Sequence, residues 1–362
     1  MLLSSASSVI YYIVLVVGAI LMLLLHILIH ELGHYSAARW MKIKVKEFSV
    51  GFGPAIAKKT NKRGELVSLR AFPLGGYCSF YDEAIEGNTE FSFNKYPPKK
   101  RLLVLAMGGI FNIVSAILFS AIMLCIIGFS STEIAKVYEG ENNGPGGLKV
   151  GDVIVAIDDT ELNYFNSINF SKMLRHAQDD QFTITVMRDG VRTPVEVTYG
   201  EYTYVGEDGT VSEKPYVGVG ISFGRVALGR RLVYSVLYAA PYTLNMAWQI
   251  LTFFGGLITG SYKLVETLGG PVSTVKTMAD YTKIDWRNIF VLLPFIAVNL
   301  GVFNLLPIPA LDGSKLIFTT IEWIRGKPVN RNVEAYIHFA GLVLLLGLVI
   351  VLDVIRLFFM RN

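Results

Sequence analysis

The feature that most constrains this chain is an apolar run from Val9 to Ile29 that passes without interruption into HILIHELGHYSAARW, His26 to Trp40. About 20 consecutive apolar residues cross a bilayer as a helix, and a soluble fold rarely accommodates such a stretch. Leu102 to Phe129 and Tyr336 to Leu357 satisfy the same requirement, while Ile289 to Leu306 is shorter and ends in prolines. With 52% hydrophobic and 17% charged residues, the composition points the same way. The reading is a polytopic α-helical membrane protein with about four transmembrane helices. No Lys or Arg precedes the first run and no small-residue cleavage site follows it, so it is expected to stay as a span rather than be removed as a signal peptide.

Charge sets the expected orientation. Residues 35–101 hold 13 Lys and Arg against 6 Asp and Glu, the bias of a cytoplasmic loop. Residues 130–231 reverse it with 10 basic and 15 acidic, fit the outer side, and are long enough for one small domain. Lys315, Arg325, Lys327 and Arg331 mark a return to the cytoplasm, leaving both termini outside. Two basic loops on one face need an even number of crossings between them. Leu232 to Ile258, interrupted by Pro241 and Gly255-Gly256, is therefore expected to be an interfacial or re-entrant element. The two cysteines, Cys78 and Cys125, lie on opposite sides and form neither a disulfide framework nor a metal site. A net charge of +4 spread over loops gives no footprint for nucleic acid.

Between Phe48 and Phe80, alternating runs flank the turn-rich TNKRG, which predicts β-hairpins on the cytoplasmic face, with Gly51, Gly53, Gly75 and Gly76 permitting bends or close backbone approach. From Asn143, NGPGGLKVGDVIVAIDDTELN reads as a turn, a short helix and a strand. QFTITVMRDGVRTPVEVTYG carries a hairpin signal at Asp189-Gly190. Together they form a small mixed α+β module.

On a helix that continues the first run, His30 and His34 lie one turn apart on one face and can hold a zinc ion, with Glu31 beside them as a base that is not itself a ligand. Ionisable groups in a membrane helix cost about 2.5 kcal/mol or more each, so three together need a purpose. His26 pairs equally well with His30 by spacing, but Glu31 favours the pair 30 and 34, which makes His26 a packed or supporting histidine. A catalytic zinc keeps three protein ligands and an open place, so the third comes from elsewhere, near the cytoplasmic ends of the other helices. Asp353 falls near the outer face and is excluded. Asp312, in NLLPIPALDG where the fourth run breaks at its prolines, is the stronger choice. His338 remains the alternative.

These residues resemble the site-2 protease family, intramembrane zinc metalloproteases, and most nearly its bacterial members with one PDZ domain. His30-Glu31-Leu32-Gly33-His34 matches the HExxH signature, and Asn304 to Gly313 matches the second motif, with Ser314 where a second glycine is usual. FSVGFGP and FPLGGY resemble the family's membrane-associated β region, MGGIFN (Met107 to Asn112) its second span, and GPGGLKVGDVIVAID a PDZ domain. The resemblance implies Asp312 as third zinc ligand and Asn304 as a hydrogen-bond donor to substrate, with Gly51, Gly53, Gly75 and Gly76 in the substrate-binding β region. It also implies hydrolysis of peptide bonds within or near the transmembrane segments of single-span membrane proteins, such as anti-sigma factors or remnant signal peptides. The site then faces the cytoplasmic side of the inner membrane, with the PDZ-like domain outside, where it binds peptide ends or gates access.

The expected organisation is a first transmembrane helix with HExxH over 1–35, a cytoplasmic-side loop with the β region over 36–101, and a second transmembrane helix over 102–129. An extracytoplasmic PDZ-like domain over 130–228 and an interfacial or re-entrant segment over 229–285 follow. Residues 286–335 carry a third transmembrane helix with the second motif, and 336–362 a fourth. A helical substrate must unwind before its backbone is accessible, and the β region can hold the extended form by strand addition. A proline on that edge, for example Val67→Pro, is expected to reduce cleavage while leaving zinc content intact. The rival from another class is an inactive adaptor with a structural zinc; Glu31 speaks against it, since a structural site needs no base.

Overall fold

The computed structural model describes residues 2–81, 91–128, 130–163, 181–202, 216–261 and 270–355. The chain forms two compact units, one of residues 1–119 with 246–362 and one of residues 120–245.

In the first unit, α1 (Leu2–Trp40) is a single helix of 39 residues. It stops where Lys42 adopts a left-handed conformation with φ of 59°. There the amides of Lys42 and Ile43 return to the carbonyls of Arg39 and Ala38, the paired bonds of a Schellman end. That stop lies beyond His34, so the whole HExxH segment keeps helical spacing. Helix α2 (Pro98–Ile127) begins on a proline, which lacks the N–H that a first turn would leave unpaired. Helix α3 (Leu228–Ile258) starts in the second unit and ends in the first, and α4 (Pro271–Ile284), α5 (Ile289–Leu305), α6 (Asp312–Arg325) and α7 (Arg331–Val354) follow in this unit among the described residues. Four stretches among the described residues are long and apolar enough to cross a membrane: 9–40, 98–127, 286–305 and 331–354. They coincide with the four runs read from sequence. On α1, Ile10, Ile13 and Val14 are more than half exposed, which for a spanning helix is contact with lipid. Pro241 and Gly255-Gly256, expected to interrupt the segment from 232, instead lie inside the unbroken α3, so no re-entrant turn forms there.

Small residues set how closely these helices approach. A Cβ on Gly33 would fall on the Met107 carbonyl, so α1 and α2 touch backbone to backbone. Gly109 and Gly301 do the same for α2 and α5, each missing Cβ lying 2.9 Å from the other's carbonyl oxygen. Ala19 and Met22 of α1 pack with Met278 of α4 and Ile296 of α5. Ala116 of α2 packs with Ala297, Val298 and Val302 of α5.

Strands β1 (Val45–Thr60) and β2 (Leu66–Phe80) join through the TNKRG turn, where Gly64 has φ of 82°. Each strand bends in its middle, so the pair makes a sheet four segments wide. Residues 45–50 pair with 76–80 on one side and with 66–69 on the other, and 66–69 pair again with 57–60. The bends use Gly51, Gly53 and Gly75 at φ of 85°, 85° and 139°. Added Cβ atoms at Gly51 and Gly76 would meet the carbonyl oxygens of Phe72 and Ser49, each at 2.7 Å, and one at Gly75 would meet the Phe52 ring at 2.6 Å. Val67 sits in an inner segment, paired with both Phe48 and Lys59. The expectation that it marks a free edge is corrected: the outer segments are 57–60 and 76–80.

The second unit carries the sheet β10-β3-β4-β6-β7, with β5 beside β4, built from β3 (Ser130–Val137), β4 (Val153–Ile157), β5 (Thr160–Glu161), β6 (Gln181–Arg188), β7 (Val191–Thr198) and β10 (Ile221–Arg225). The short β8 (Gly200–Tyr202) and β9 (Tyr216–Gly218) pair separately. Asp189 and Gly190 turn at φ of 49° and 80°, positive at both central residues as a two-residue hairpin of this twist requires. The short helix expected between GPGG and the strand is not formed, residues 144–152 being turns and coil, and a single 3-10 turn at Glu141–Asn143 comes before them. The core is Ile134, Ile154, Ile184, Val186, Val195 and Val197. Asp152, buried at its edge, accepts from the Lys149 amide at 2.9 Å and from Arg188 Nε at 2.8 Å.

Candidate metal centre

Near the C-terminal end of α1, His30 and His34 point from one face, their ring centroids 4.7 Å apart and nearly perpendicular. Opposite them α6 begins. Helix α5 ends at Leu306, held extended before Pro307, and Ala310 turns back with φ of 77°. Asp312 then opens α6, with Gly313 so close to the Leu306 carbonyl that no side chain fits. The Asp312 carboxylate arrives against both imidazoles. Its Oδ2 lies 3.0 Å from His30 Nε2 and 2.9 Å from His34 Nε2, and the two nitrogens are 3.1 Å apart. Zinc with ligands at 2.0 to 2.1 Å in a tetrahedron separates its donors by about 3.3 Å. The triangle found here matches that spacing to within a few tenths of an ångström, and its donor set is one that zinc accepts. Among the described residues, these three are the group able to hold a metal ion.

The second span supplies the surroundings. His34 Nδ1 donates to the Val104 carbonyl at 2.8 Å, and Asn112, fully buried, places its amide 3.5 Å from His30 Nδ1. Between them, Gly108 is the floor: a Cβ there would lie 2.6 Å from His30 Cε1 and collide with His34 Nε2. Glu31 stays out of the triangle. Its Oε2 accepts the Cys78 amide at 2.9 Å, tying it to the outer segment 76–80 of the β sheet. Burial, and then the neighbouring Glu31 carboxylate, push the Cys78 thiol well above its usual range, so it remains protonated and apart from the donor triangle.

A cavity of about 950 Å³ opens on this centre, lined by Glu31, Tyr77, Cys78, Ser79, Asn304 and Asp312 among others. Arg101 lines it too, buried and paired with Glu322 of α6 and with Asn94, as a desolvated cation must be. The glycines at 51, 53, 75 and 76 do not line it. Asn304 does, and its Nδ2 donates back to the Leu300 carbonyl at 3.0 Å. His338 lies outside the triangle, with Nδ1 3.4 Å from Ser314 Oγ. Fully buried His26 sets its ring nitrogens against the carbonyls of Met22 and Leu293 at 2.6 and 2.9 Å. Asp353, excluded from the metal by its position, accepts from Ser273 Oγ at 2.6 Å and from the Ser273 and Val272 amides, capping α4.

Sequence reasoning missed Gly108, Asn112, the Val104 carbonyl and the Cys78 amide. Gly108 and Asn112 stand in MGGIFN at i and i+4, which places them on one face, but nothing in the sequence says what that face meets.

Comparison with known proteins agrees with this geometry. Residues 18–348 match the model of peptidase family M50. A provisionally named zinc metalloprotease of Agrobacterium fabrum is 30% identical over 353 residues, spanning 91% of this chain and 92% of its own. Similarly named proteins of Fusobacterium nucleatum and a Nostoc species are 30% and 31% identical, covering 93% of this chain in each case and 96% and 94% of theirs. The chain belongs to peptidase family M50, the site-2 protease type of membrane zinc metallopeptidase.

Proposed function

We propose that this zinc metallopeptidase cleaves peptide bonds within or near the transmembrane segments of single-span membrane proteins, with His30, His34 and Asp312 as zinc ligands and Glu31 as the general base. The observation that carries the reading is the convergence of two imidazole nitrogens and one carboxylate oxygen within 3.1 Å at the wall of a cavity. Bound there, zinc supplies a Lewis acid for the scissile carbonyl and acidifies the attacking water. Glu31 takes the water's proton and passes it to the leaving amine. Its carboxylate is aimed for this work by the Cys78 amide, 2.9 Å away.

That same bond gives the substrate a place to lie. The Cys78 N–H points away from residues 45–50 and toward Glu31, so the outer edge of 76–80 faces the reaction centre. A substrate strand adding to this edge is held extended, as hydrolysis requires, with its backbone in register with the metal. In a strand only alternate residues turn their N–H toward a given neighbour. A synthetic reporter N-methylated on one set of alternate residues is therefore expected to resist cleavage, while the set shifted by one is cut; equal cleavage of both would remove strand addition from the account.

The charge bias of residues 35–101 supports a site on the cytoplasmic side of the inner membrane, with residues 130–228 and both termini outside. The antiparallel sheet of the second unit supports a PDZ-like module that binds peptide ends or gates access, and α3 supports an amphipathic helix along the interface. Anti-sigma factors and remnant signal peptides are the proposed substrate classes.

The test is a single-span reporter in vesicles containing wild type, Glu31→Gln or Asp312→Ala protein. Glu31→Gln is expected to keep its zinc and lose at least ~100-fold in rate, and Asp312→Ala to lose zinc and activity together. Full cleavage by Glu31→Gln would refute the proposed base, and full zinc content in Asp312→Ala would refute the ligand set.

A further inference from the structure

We infer that Asn112 is a positioning residue for the metal centre, acting through His30 to fix which ring nitrogen faces the metal; the inference rests on the ligand assignment above. The reasoning starts from His34, whose Nδ1 donates to a carbonyl oxygen, Val104 O at 2.8 Å. A carbonyl only accepts, so the proton of that ring sits on Nδ1 and the lone pair of Nε2 is free for a metal. His30 needs the same arrangement, because its Nε2 is the atom in the triangle.

Among the described residues, no backbone carbonyl serves His30 Nδ1. The group set against it is the side-chain amide of Asn112, fully buried, at 3.5 Å. In the orientation observed, Asn112 Nδ2 faces the ring and Oδ1 has no partner among the described residues. A donor facing Nδ1 demands the tautomer protonated on Nε2, which has no lone pair to give a metal. Half a turn of the amide about its last torsion brings Oδ1 to the ring instead. The Nδ1 proton is then accepted, and Nε2 is left as a ligand. Ligating histidines are regularly held by such an acceptor on their other nitrogen.

The placement follows from the sequence of α2. Val104, Gly108 and Asn112 repeat at intervals of four, so one helical face offers an acceptor to each imidazole with a glycine between them that admits both rings. The asymmetry is that the acceptor for His34 is main chain and survives any substitution, whereas the acceptor for His30 is a side chain.

The experiment measures zinc affinity of the full-length protein by chelator competition for wild type, His30→Ala, Asn112→Leu and Asn112→Asp. Asn112→Leu removes the acceptor and is expected to weaken zinc by ~10- to 100-fold. Asn112→Asp presents an oxygen in either orientation and is expected to bind at least as tightly as wild type. Nitrogen-15 NMR of the zinc-loaded wild type, with His30 assigned by its substitution, is expected to find Nδ1 protonated and provides a reading even where Asn112→Leu does not fold. Wild-type affinity in Asn112→Leu, equal weakening in Asn112→Asp, or an unprotonated Nδ1 on zinc-loaded His30 would each overturn the inference. Undiminished zinc binding in His30→Ala would instead refute the ligand assignment beneath it.

Discussion

Gly108→Ala tests whether the space around the imidazoles is set by α2. The added methyl carbon would lie 2.6 Å from His30 Cε1 and collide with His34 Nε2. Carbon atoms rest about 3.5 to 4.0 Å apart, so roughly 1 Å of movement must be found. Gly33 already presses α1 against the Met107 carbonyl, and the helices cannot both keep that contact and separate. Metal sites tolerate about 0.2 Å of error in ligand distance, a fifth of the movement required. Overpacking of this kind costs about 1 to 3 kcal/mol. If ~1.4 kcal/mol of it falls on the zinc-bound state, affinity drops tenfold, and if ~2.8 kcal/mol, a hundredfold. Chelator competition reads the affinity, and Gly347→Ala is the control, since a Cβ there meets nothing within 4 Å. A Gly108→Ala protein that binds zinc within a factor of two of wild type would show that the rings have room, and the account of α2 as a floor would fail.

Two further predictions concern the supports. Asp152→Asn removes the charge from a carboxylate whose side chain is 2% exposed and which pairs with Arg188 at 2.6 Å. Because Arg188 retains some solvent, a loss of about 2 kcal/mol in unfolding of the second unit is expected, read by urea titration. Burial alone would raise the Asp152 carboxyl, but the Arg188 guanidinium and the Lys149 amide hold it below its ordinary 3.8. The folded value being the lower one, this stabilisation is complete above pH 3.8, fades as pH falls through the folded value, and is flat between pH 5 and 7. A wild-type stability that changed in step with the Asp152→Asn variant below pH 3.8 would contradict it. Asp353→Ala uncaps α4 and is expected to cost about 1 to 2 kcal/mol, seen as faster hydrogen exchange of the Val272 and Ser273 amides; unchanged exchange would mean the cap is dispensable.

The spans were legible because the bilayer imposes a length and an apolarity that no other constraint mimics, and the hairpin at Asp189-Gly190 because few residue pairs accept positive φ. The pairing of His30 with His34 was legible from helical period together with Glu31, since period alone allows His26 with His30 equally, and α1 honours it by continuing to Trp40. Depth excluded Asp353 but not His338, and Asp312 could be ranked above His338 only by the prolines before it and because a carboxylate is an established third partner to two histidines, since nothing local reveals that α6 starts against α1. Two readings failed for a shared reason. Val67 looked like an edge and Pro241 like a break because local pattern reports the chain's own preference, whereas the bend at Gly51 and Gly53 gives the former a strand partner on both sides and helix continuity across Pro241 is decided by what surrounds it. Gly76 has a further constraint from its own sheet, where a Cβ would meet the Ser49 carbonyl oxygen at 2.7 Å.

What joins these parts is that no single element holds the reaction centre. Helix α1 gives the imidazoles and the base, α6 the carboxylate, α2 the acceptors behind the rings, and β2 the amide that aims Glu31. The packing that brings them together is glycine against backbone at 33, 109, 301 and 313, contacts that leave almost no slack to absorb a shift. Zinc affinity should therefore respond to substitutions well away from the metal whenever they spread α1 from α2 or α2 from α5, and in proportion to the spreading rather than to polarity. Gly301→Ala, whose Cβ would stand 2.8 Å from Ile113 Cγ1 and 2.9 Å from the Gly109 carbonyl oxygen, touches no ligand. It is expected to weaken zinc less than Gly108→Ala but measurably, because α5 leads directly into the loop that delivers Asp312.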